Sequence, residues 1–407
     1  MKLIRSLFGL GLGLPLAASA IGVFDHNAVQ YDHQRPLAAI GTKRLDLTHD
    51  LIGLHKNLTE IESISGNELK VGKWLASSLK DQGYTVELQE VEKDRYNVLA
   101  WPGDTRNARL LITSHIDTVP PLIPYKAHTN KTDTIISGRG TVDAKGAVAA
   151  MIIAANSLLD SVEITPNDFA FLFVVGEEYG GVGMLAANSL DISPKRIIFG
   201  EPTEGKLASG HKGILLVELK VHGKAAHSGY PWLGRSANQI LVKVLSALMD
   251  LEKTLPTSEH YGMTTFNIGK VQGGLASNVV AESATAQVAV RIASGTPDDI
   301  KKAVLKTVDS AIEEFKEGKE KIVDVDFRGT MYGPVHIDAD VPGFDSMVVN
   351  YGTDIPNFNY TVEDQKRYLY GPGSILVAHS DHEALTLKEL EGAVDDYRKL
   401  ILHCLQT

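Results

Sequence analysis

Short, continuously apolar segments alternate in this chain with amphipathic or alanine-rich segments, and this alternation constrains the fold more than any other feature. A strand that is apolar on both faces has to be buried on both sides. The intervening segments have the periodicity of helices that could cover such a sheet. We therefore predict an α/β domain with a mixed sheet flanked by helices. Strands are predicted at 84–91, 97–101, 108–113, 169–175, 196–199 and 374–378, and helices at 46–61, 68–82, 146–160 and 385–405.

The pattern changes near residue 209. From there to residue 327 the predicted order is strand–helix–strand–strand–helix–strand, which is typical of a ferredoxin-like α+β module. Strand–helix alternation then resumes, so we predict one domain inserted into another, with boundaries at 45–208, 209–327 and 328–407. Within the insert, strands are predicted at 213–221, 264–272, 284–293 and 321–327, and helices at 236–251 and 297–317.

The N-terminal segment has the features of an export signal. Residues 1–20 combine a basic start, an apolar run and an Ala-Ser-Ala cleavage pattern, as in a secretory signal peptide. The run is shorter than the roughly 20 apolar residues of a membrane anchor. Residues 21–44 are predicted to be a leader with little structure. Three Asn-X-Thr sequons support export, so we expect a secreted, extracellular glycoprotein; the acceptors are Asn57, Asn130 and Asn359.

Composition argues against several other classes of protein. With 40 basic and 50 acidic residues, the chain lacks the surplus of positive charge that nucleic-acid binding requires. The single cysteine, Cys404, allows no intrachain disulfide, no cysteine zinc ribbon and no iron–sulfur cluster. A bound metal would therefore have to be held by imidazole and carboxylate groups.

Histidine and carboxylate residues stand at five strand ends or strand–helix turns. In an open α/β sheet, ligands bind at the carboxyl ends of the strands. Each position also has an ordinary alternative: a surface histidine, a helix N-cap for the aspartate, a solvated pair of glutamates or a turn. The candidates are His115 with Asp117, then Asp143, Glu177 with Glu178, Glu201, and either His379 or His382.

Taken together, these residues predict a metal centre. Two imidazoles and three or four carboxylates fit two zinc ions that share a carboxylate and lie about 3.5–4 Å apart. Asp117 lies two residues beyond His115 and can fix the tautomer of that ligand by accepting its second ring proton. Neighbours in extended backbone point to opposite sides, so one of Glu177 and Glu178 is expected to bind metal and the other to act as a base.

These segments resemble a known family, the di-zinc amidohydrolases and peptidases that include glutamate carboxypeptidase, acetylornithine deacetylase, succinyl-diaminopimelate desuccinylase and aminoacylase. The resemblance extends from residue 45 to the C-terminus. It depends on four motifs in a fixed order, which are Ser-His-Ile-Asp-Thr-Val-Pro at 114–120, Gly-Thr-Val-Asp-Ala-Lys-Gly at 140–146, Gly-Glu-Glu at 176–178 and Gly-Glu-Pro-Thr at 200–203.

The resemblance implies a role for each candidate residue. It makes Asp143 the bridge between two metals, with His115 and Glu201 on one side and Glu178 and His379 on the other. It also makes Glu177 the general base and lets Asp117 orient His115. His379 is preferred to His382 because the family's last ligand follows a Gly-Pro turn and a strand and precedes a glutamate by four residues. Glu383 has that place. The implied cofactor is two Zn²⁺ per subunit, with Co²⁺ or Mn²⁺ as substitutes.

The inserted module resembles the lid and dimerisation domain of the family. There, His227 would help stabilise an oxyanion, and Asn278 and Arg291 would bind substrate. Gly373, in the turn 371–374, would help hold a free carboxylate. We therefore expect a secreted carboxypeptidase that acts on short peptides, as a monomer or as a homodimer through the lid. One alternative is an N-acyl-amino-acid deacylase, and an alternative of another class is a non-catalytic secreted binding module.

Overall fold

The computed structural model describes residues 44–316 and 321–406. The predicted signal peptide, and the predicted leader apart from its last residue, lie outside the described residues. None of the helices within the two described ranges combines the length and the apolarity needed to span a bilayer.

The described residues form seven α-helices and sixteen strands. The helices are α1 Arg44–Glu60, α2 Leu69–Asp81, α3 Lys145–Asp160, α4 Val182–Ala187, α5 Ala237–Glu252, α6 Pro297–Ala311 and α7 Leu387–Gln406. The strands are β1 Thr85–Glu92, β2 Arg95–Trp101, β3 Leu110–His115, β4 Lys126–Thr129, β5 Thr134–Ser137, β6 Phe169–Val174, β7 Arg196–Gly200, β8 Leu207–His211, β9 Gly213–His222, β10 Thr265–Gly273, β11 Ser283–Ile292, β12 Val323–Tyr332, β13 Val335–His336, β14 Ser346–Val349, β15 Lys366–Tyr370 and β16 Ala384–Thr386.

A six-stranded mixed sheet forms the centre of the first domain, in the order β1-β2-β6-β3-β7-β15. The strands β6, β3, β7 and β15 run parallel to one another, whereas β1 and β2 are antiparallel to their neighbours. Strands β3 and β6 are buried along their whole length, as their continuous apolar sequences predict. The parallel arrangement brings the carboxyl ends of four strands to the same edge of the sheet.

The sheet is covered on both faces because alternate side chains of each strand point to opposite sides. In β6, for example, Phe169, Phe171 and Phe173 join one core with apolar residues of α1, α2, α3 and α7. Ala170, Leu172 and Val174 join a second core with α4 and with residues between 337 and 358. The fully apolar strands therefore mark a two-sided core, as the sequence indicated.

The second domain is a four-stranded antiparallel sheet in the order β10-β11-β9-β12, packed against α5 and α6. Its central strand β9 alternates between buried and more exposed residues, since the helices cover only one face. Ser236 caps α5 through its side chain, and Thr296 with Asp299 forms a capping box that starts α6 at Pro297. This arrangement is the predicted ferredoxin-like module, and we call it the lid.

Two three-stranded sheets complete the fold. Strand β8 pairs with β13 and β14 and directly precedes the first lid strand. Strands β4 and β5 form a hairpin to which β16 adds, and β16 comes from the C-terminal part of the chain. The second of these sheets connects residues near 137 with residues near 384, and this link matters for the site.

One predicted strand is wrong. Residues 374–378 form a turn rather than a buried strand, and Leu376 is 81% exposed. The buried edge strand is β15, which lies just before this turn. Gly371, Pro372 and Gly373 end β15, since Gly373 takes a φ of +72° that a continuing strand would not allow. The apolar run was mistaken for a strand because its length and composition suit one.

Helix α6 ends earlier than predicted. It stops at Ala311, and a short 3-10 turn follows at Glu313–Phe315. Residue 317, the predicted end of this helix, lies outside the described residues. Strand β12 continues to Tyr332, past its predicted end at residue 327, because it pairs with β9 as far as Ile214.

Candidate metal centre

The candidate site is built at the carboxyl ends of three neighbouring parallel strands. His115 is the last residue of β3, Glu177 and Glu178 follow β6, and Glu201 follows β7. Strand β3 lies between β6 and β7, so these side chains emerge side by side. His115, Asp143 and Glu201 are at most 6% exposed, and Glu177 and Glu178 are half-buried.

Asp143 lies at the centre of the cluster. Its Oδ1 is 3.1 Å from Nε2 of His115, and its Oδ2 is 3.2 Å from Nε2 of His379. His379 Nε2 is also 2.9 Å from Oε2 of Glu178, and His115 Nε2 is 3.7 Å from Oε1 of Glu201. The carboxylate of Asp143 therefore has one imidazole–carboxylate pair on each side, as two metal ions with a shared aspartate would require.

Asp143 does not act as a helix N-cap. Helix α3 starts at Lys145 with Ala144 at the capping position, and no side chain caps it. The turn before the helix directs the Asp143 carboxylate to the two histidines instead. The structure therefore excludes the alternative that Asp143 is a helix N-cap.

Glu177 and Glu178 both face the cluster, although the extended-backbone argument predicted opposite directions. Gly176 has a φ of +73°, and residues 177–180 form a turn rather than an extended segment. Two groups of donors have their ligand atoms within 4.8 Å of one another, namely His115 with Asp143 and Glu178, and His115 with Glu177 and Glu201. Glu177 is thus close enough to be a ligand as well as a base.

Asp117 fixes the geometry around His115. The ring Nδ1 of His115 lies 3.0 Å from the backbone oxygen of Asp117 and 3.5 Å from its Oδ1. The carboxylate of Asp117 accepts hydrogen bonds from the backbone N–H groups of Glu177 and Glu178 at 3.1 and 3.2 Å. Ser65 Oγ donates to it at 2.7 Å. The backbone oxygen of Asp117, rather than the carboxylate that the sequence suggested, is therefore the nearer acceptor for the ring of His115. The buried carboxylate orients the glutamate turn.

The cluster concentrates buried charge. Burial raises the pKa of Glu177 well above its ordinary value, and the nearby Glu201 carboxylate adds to this. Burial likewise raises the pKa of Glu201 to about 8. Burial opposes protonation of His115, but the carboxylates of Glu201, Asp117 and Asp143 outweigh it and raise the pKa of that imidazole. Hydrogen bonds to Asp143 and Glu178 raise the pKa of His379 to about 10.

These residues fit two divalent cations. Two imidazole nitrogens and four carboxylates are the donor types that zinc takes in the absence of cysteine. Oε1 of Glu178 is buried and has no hydrogen-bond partner among the described residues, so it is free to coordinate. Metal binding would release the protons that burial favours on Glu177 and Glu201 and those that neighbouring carboxylates favour on the two imidazoles, because ligand imidazoles must be neutral and carboxylates ionised.

The choice between the two C-terminal histidines is decided by geometry. His379 contacts Asp143 and Glu178, and its side chain is 52% exposed on the open side of the cluster. His382 is 73% exposed and pairs with Asp381. His379 has a φ of +63°, so a turn rather than a strand presents it.

The structure does not bring the lid residue His227 into the cluster. His227 is exposed, and its described contacts are with Gly229 and Tyr230. Asn278 is also exposed and lies beside it, because residue 227 forms a β-bridge with Val279. Both residues lie beside a lid cavity lined by 273–281 and the start of α5.

Arg291 and Gly373 lie closer to the cluster. The side chains of Arg291 and Tyr332 both lie next to Gly352. A Cβ atom added to this glycine would be 3.6 Å from Nη1 of Arg291 and 2.3 Å from the hydroxyl of Tyr332. Burial and then the charge of Glu177 raise the pKa of Tyr332, which places this pair on the Glu177 side of the site. A Cβ on Gly373 would be 2.9 Å from Val142, next to Asp143.

Several residues of the site were missed by sequence reasoning. Tyr351 donates to the backbone oxygen of Pro202 at 2.9 Å, and burial followed by the charge of Glu201 raises its pKa. Asp354 is buried near Glu177, and its Oδ2 has no hydrogen-bond partner among the described residues. The segment 332–354 contains Tyr332 as well, and nothing in its pattern indicated that it would fold back over the strand ends.

Comparison with known proteins agrees with this geometry. Residues 209–317 match the model of the peptidase dimerisation domain, and residues 97–192 match that of peptidase family M28. A probable carboxypeptidase of Aspergillus fumigatus is 47% identical over 384 residues, which covers 86% of each chain.

Two solved structures share the fold. A tripeptidase from Staphylococcus aureus has a TM-score of 0.74 at 24% identity and covers 88% of this chain and 99% of its own. A dinuclear metal binding peptidase of the M20 family from Bacillus subtilis has a TM-score of 0.60 at 17% identity, covering 89% and 99%. The predicted fold class is confirmed. The identity to the fungal relative over most of both chains, together with the matches to the two peptidase models, shows that this protein belongs to the di-zinc peptidase and amidohydrolase family and hydrolyses peptide bonds.

Proposed function

We propose that the protein is a secreted, zinc-dependent carboxypeptidase that removes a C-terminal residue from short peptides. The observation that carries this proposal is the position of Asp143, whose two carboxylate oxygens each meet a histidine. The fungal relatives named as probable carboxypeptidases support it.

The two halves of the cluster would hold two zinc ions. His115 and Glu201 would bind one ion, His379 and Glu178 the other, and Asp143 both; Co²⁺ or Mn²⁺ would suit the same donors. Zinc, when bound, acidifies a coordinated water and polarises the carbonyl oxygen of the substrate.

Glu177 is proposed to handle the protons of the reaction. It lies in the same turn as the ligand Glu178, and its pKa is raised by burial and by the charge of Glu201. A carboxylate in this position can remove a proton from the attacking water and then pass it to the leaving amine. Asp117 accepts hydrogen bonds from the backbone of this turn and from the ring of His115. It therefore fixes the position of the base Glu177 relative to the ligand His115.

Substrate recognition is proposed to fall to Arg291, Asn278 and the turn at Gly373. The guanidinium of Arg291 has neither a hydrogen bond nor an ion pair with any residue that the structure describes, although Arg291 is half-buried beside Tyr332. An unpaired guanidinium on the Glu177 side of the cleft suits the free carboxylate of a C-terminal residue. This is why we favour an exopeptidase.

His227 and Asn278 would act only after a rearrangement. Both are exposed on the lid, away from the described contacts of the cluster. We propose that His227 reaches the reacting carbonyl when the lid closes and donates a hydrogen bond to the developing oxyanion. The match to a dimerisation domain supports a homodimer through the lid, and monomer or homodimer stays a prediction.

The substrate class can be tested with a matched panel assayed in zinc-loaded protein. We expect a dipeptide and a tripeptide with free C-termini to be cleaved. We also expect their C-terminal amides to be cleaved at least about tenfold more slowly, because the amides lack the charge that Arg291 binds. N-acetyl amino acids keep that charge, so their rate relative to the peptides distinguishes a deacylase from a peptidase. Arg291→Gln should raise KM for the free peptides and reduce the difference in cleavage rate between the free peptides and their amides.

Other outcomes of this panel would support the alternative functions or exclude the proposed role of Arg291. Faster turnover of N-acetyl amino acids would identify a deacylase instead. No turnover of any substrate by metal-loaded protein would favour the non-catalytic binding module. An equal rate for free and amidated peptides would remove Arg291 from carboxylate recognition.

Secretion is proposed from the N-terminal sequence and the sequons. The three acceptor asparagines differ in how exposed they and their sequons are. Asn130 is exposed at the tip of the β4–β5 hairpin, and Asn359 is exposed in a loop. Asn57 lies inside helix α1, and the hydroxyl of its sequon Thr59 is buried and donates to the backbone oxygen of His55. We therefore expect glycans on Asn130 and Asn359 and none on Asn57.

Expression in a eukaryotic secretory host would check this expectation. Asn130→Gln and Asn359→Gln should each remove one glycan, measured as a loss of mass that glycosidase treatment abolishes. Asn57→Gln is the matched control and should leave the glycan mass unchanged. Retention of the whole protein inside the cells, with no glycan at any site, would contradict secretion.

A further inference from the structure

We propose that Glu383 is a positioning residue that joins the two halves of the metal centre and holds Asp143 in its bridging orientation before any ion binds. The inference rests on the proposed function, since it concerns the same metal centre. Glu383 touches neither candidate metal position, and the sequence singled it out only by its spacing from His379.

The carboxylate of Glu383 is the acceptor for the turn that carries Asp143. Its Oε1 accepts from the backbone N–H groups of Gly140 and Val142 at 3.0 Å each and from that of Asp143 at 3.2 Å. Its Oε2 accepts from Nη1 of Arg139 at 2.7 Å. Glu383 is 1% exposed, so water does not compete for these bonds.

Three backbone N–H groups converging on one anion form a nest. The turn takes this shape because Gly140 has a φ of +86°. Without the carboxylate, three buried N–H groups would lack a partner, and the turn would have to open towards solvent to satisfy them. The direction of the Asp143 side chain depends on the same turn, so Glu383 sets it.

Glu383 also ties this turn to the segment that carries His379. Its own backbone oxygen accepts from the N–H of Gly138 at 3.1 Å, and the next residues form β16, which pairs with β5 just before the turn. His379 lies in an exposed turn four residues upstream, so its distance from Asp143 is set by this attachment. Asp143 and His379 lie more than two hundred positions apart in the chain, and Glu383 joins the turn that carries the first to the segment that carries the second.

A simpler role would be neutralisation of the buried Arg139. Substitutions of Arg139 and of Glu383 can distinguish neutralisation of Arg139 from positioning of the Asp143 turn. Arg139→Gln takes away the cation and leaves the three turn hydrogen bonds of Glu383 in place. Glu383→Gln removes the negative charge that binds the three turn N–H groups, and its amide N–H₂ group has to face either Arg139 or those N–H groups, so the nest is weakened in both orientations. The double variant removes the ion pair but does not restore the nest.

The experiment titrates Co²⁺ into the metal-free full-length protein and records the d–d absorption that reports coordination. We expect the parent to bind two Co²⁺ and R139Q to stay within about threefold of the parent affinity. We expect E383Q and R139Q/E383Q to bind about 10–100-fold more weakly, as supporting residues of metal sites commonly do. Parent-like affinity in E383Q, or recovery of affinity in the double variant, would overturn the proposal.

A second measurement keeps the proposal testable if E383Q does not fold. Hydrogen exchange in the metal-free parent should be slowed at least about a hundredfold in the peptide that spans 138–146, because the three turn amides are already bonded. Exchange at the rate of an unstructured peptide would overturn pre-organisation by Glu383. Failure of the parent itself to bind Co²⁺ would instead contradict the proposed function.

Discussion

Glu177→Gln is expected to lower kcat by about 10²–10⁴-fold, the usual contribution of a general base, while two metal ions stay bound. Glutamine keeps the size and the hydrogen-bonding reach of the side chain but cannot accept the proton of the attacking water. The measurements are steady-state turnover and metal content by elemental analysis of the same preparation.

Metal content distinguishes a base from a metal ligand at Glu177, because a carboxylate oxygen of Glu177 lies close enough to His115 and Glu201 to share a metal with them. Loss of one ion together with activity would show that Glu177 is a ligand rather than a base. Near-normal turnover with two ions bound would exclude the proposed mechanism. Glu90→Gln, at an exposed position of β1, is the matched control and should leave both quantities unchanged.

Asp143→Asn is expected to have a similarly large effect by a different route. Both half-sites use the Asp143 carboxylate, whose oxygens lie 3.1 Å and 3.2 Å from the two histidines. An amide offers one neutral oxygen in place of two charged ones, so it cannot bridge two cations. We expect fewer than two ions to be retained and turnover to fall by roughly 10³-fold or more, equivalent to about 4 kcal/mol of transition-state stabilisation.

Titration of metal into the variant would check this expectation. The first ion should bind weakly and the second should not bind at zinc concentrations that saturate the parent. Asp381→Asn serves as the control, because Asp381 lies near His379 in sequence but, within the described ranges, forms its ion pair with the exposed His382 and not with the cluster. If Asp143→Asn retained two ions and parent activity, Asp143 would not be the bridge.

The sequence predicted the central sheet well where burial on both faces left few choices. Strands β3, β6 and β7 lie within a residue or two of their predicted places, because each contains three or more consecutive apolar residues that cannot face water on either side. The same criterion was wrong at 374–378, where an apolar run lies in an exposed turn. Local composition does not report whether a segment finds a neighbouring strand.

The roles of individual site residues were predicted less completely. The extended-backbone argument for Glu177 and Glu178 was wrong, since Gly176 at positive φ turns both side chains to the same cavity. Tyr332, Tyr351 and Asp354 gave no signal at all. They reach the site because the segment after the lid folds back across the strand ends, and that path depends on packing between distant residues.

The sequence by itself determined that His115, Asp143, Glu177, Glu178 and Glu201 stand at strand ends and turns of an α/β domain, because strand periodicity and chain order are local properties. Only the tertiary structure decided that Asp143 faces His115 and His379 at once, and that His379 rather than His382 is the partner. Of those contacts, the one between Asp143 and His379 joins parts of the chain separated by the whole lid. These contacts depend on the parallel order of the strands and on the pairing of β16 with β5, and local pattern carries no information about either.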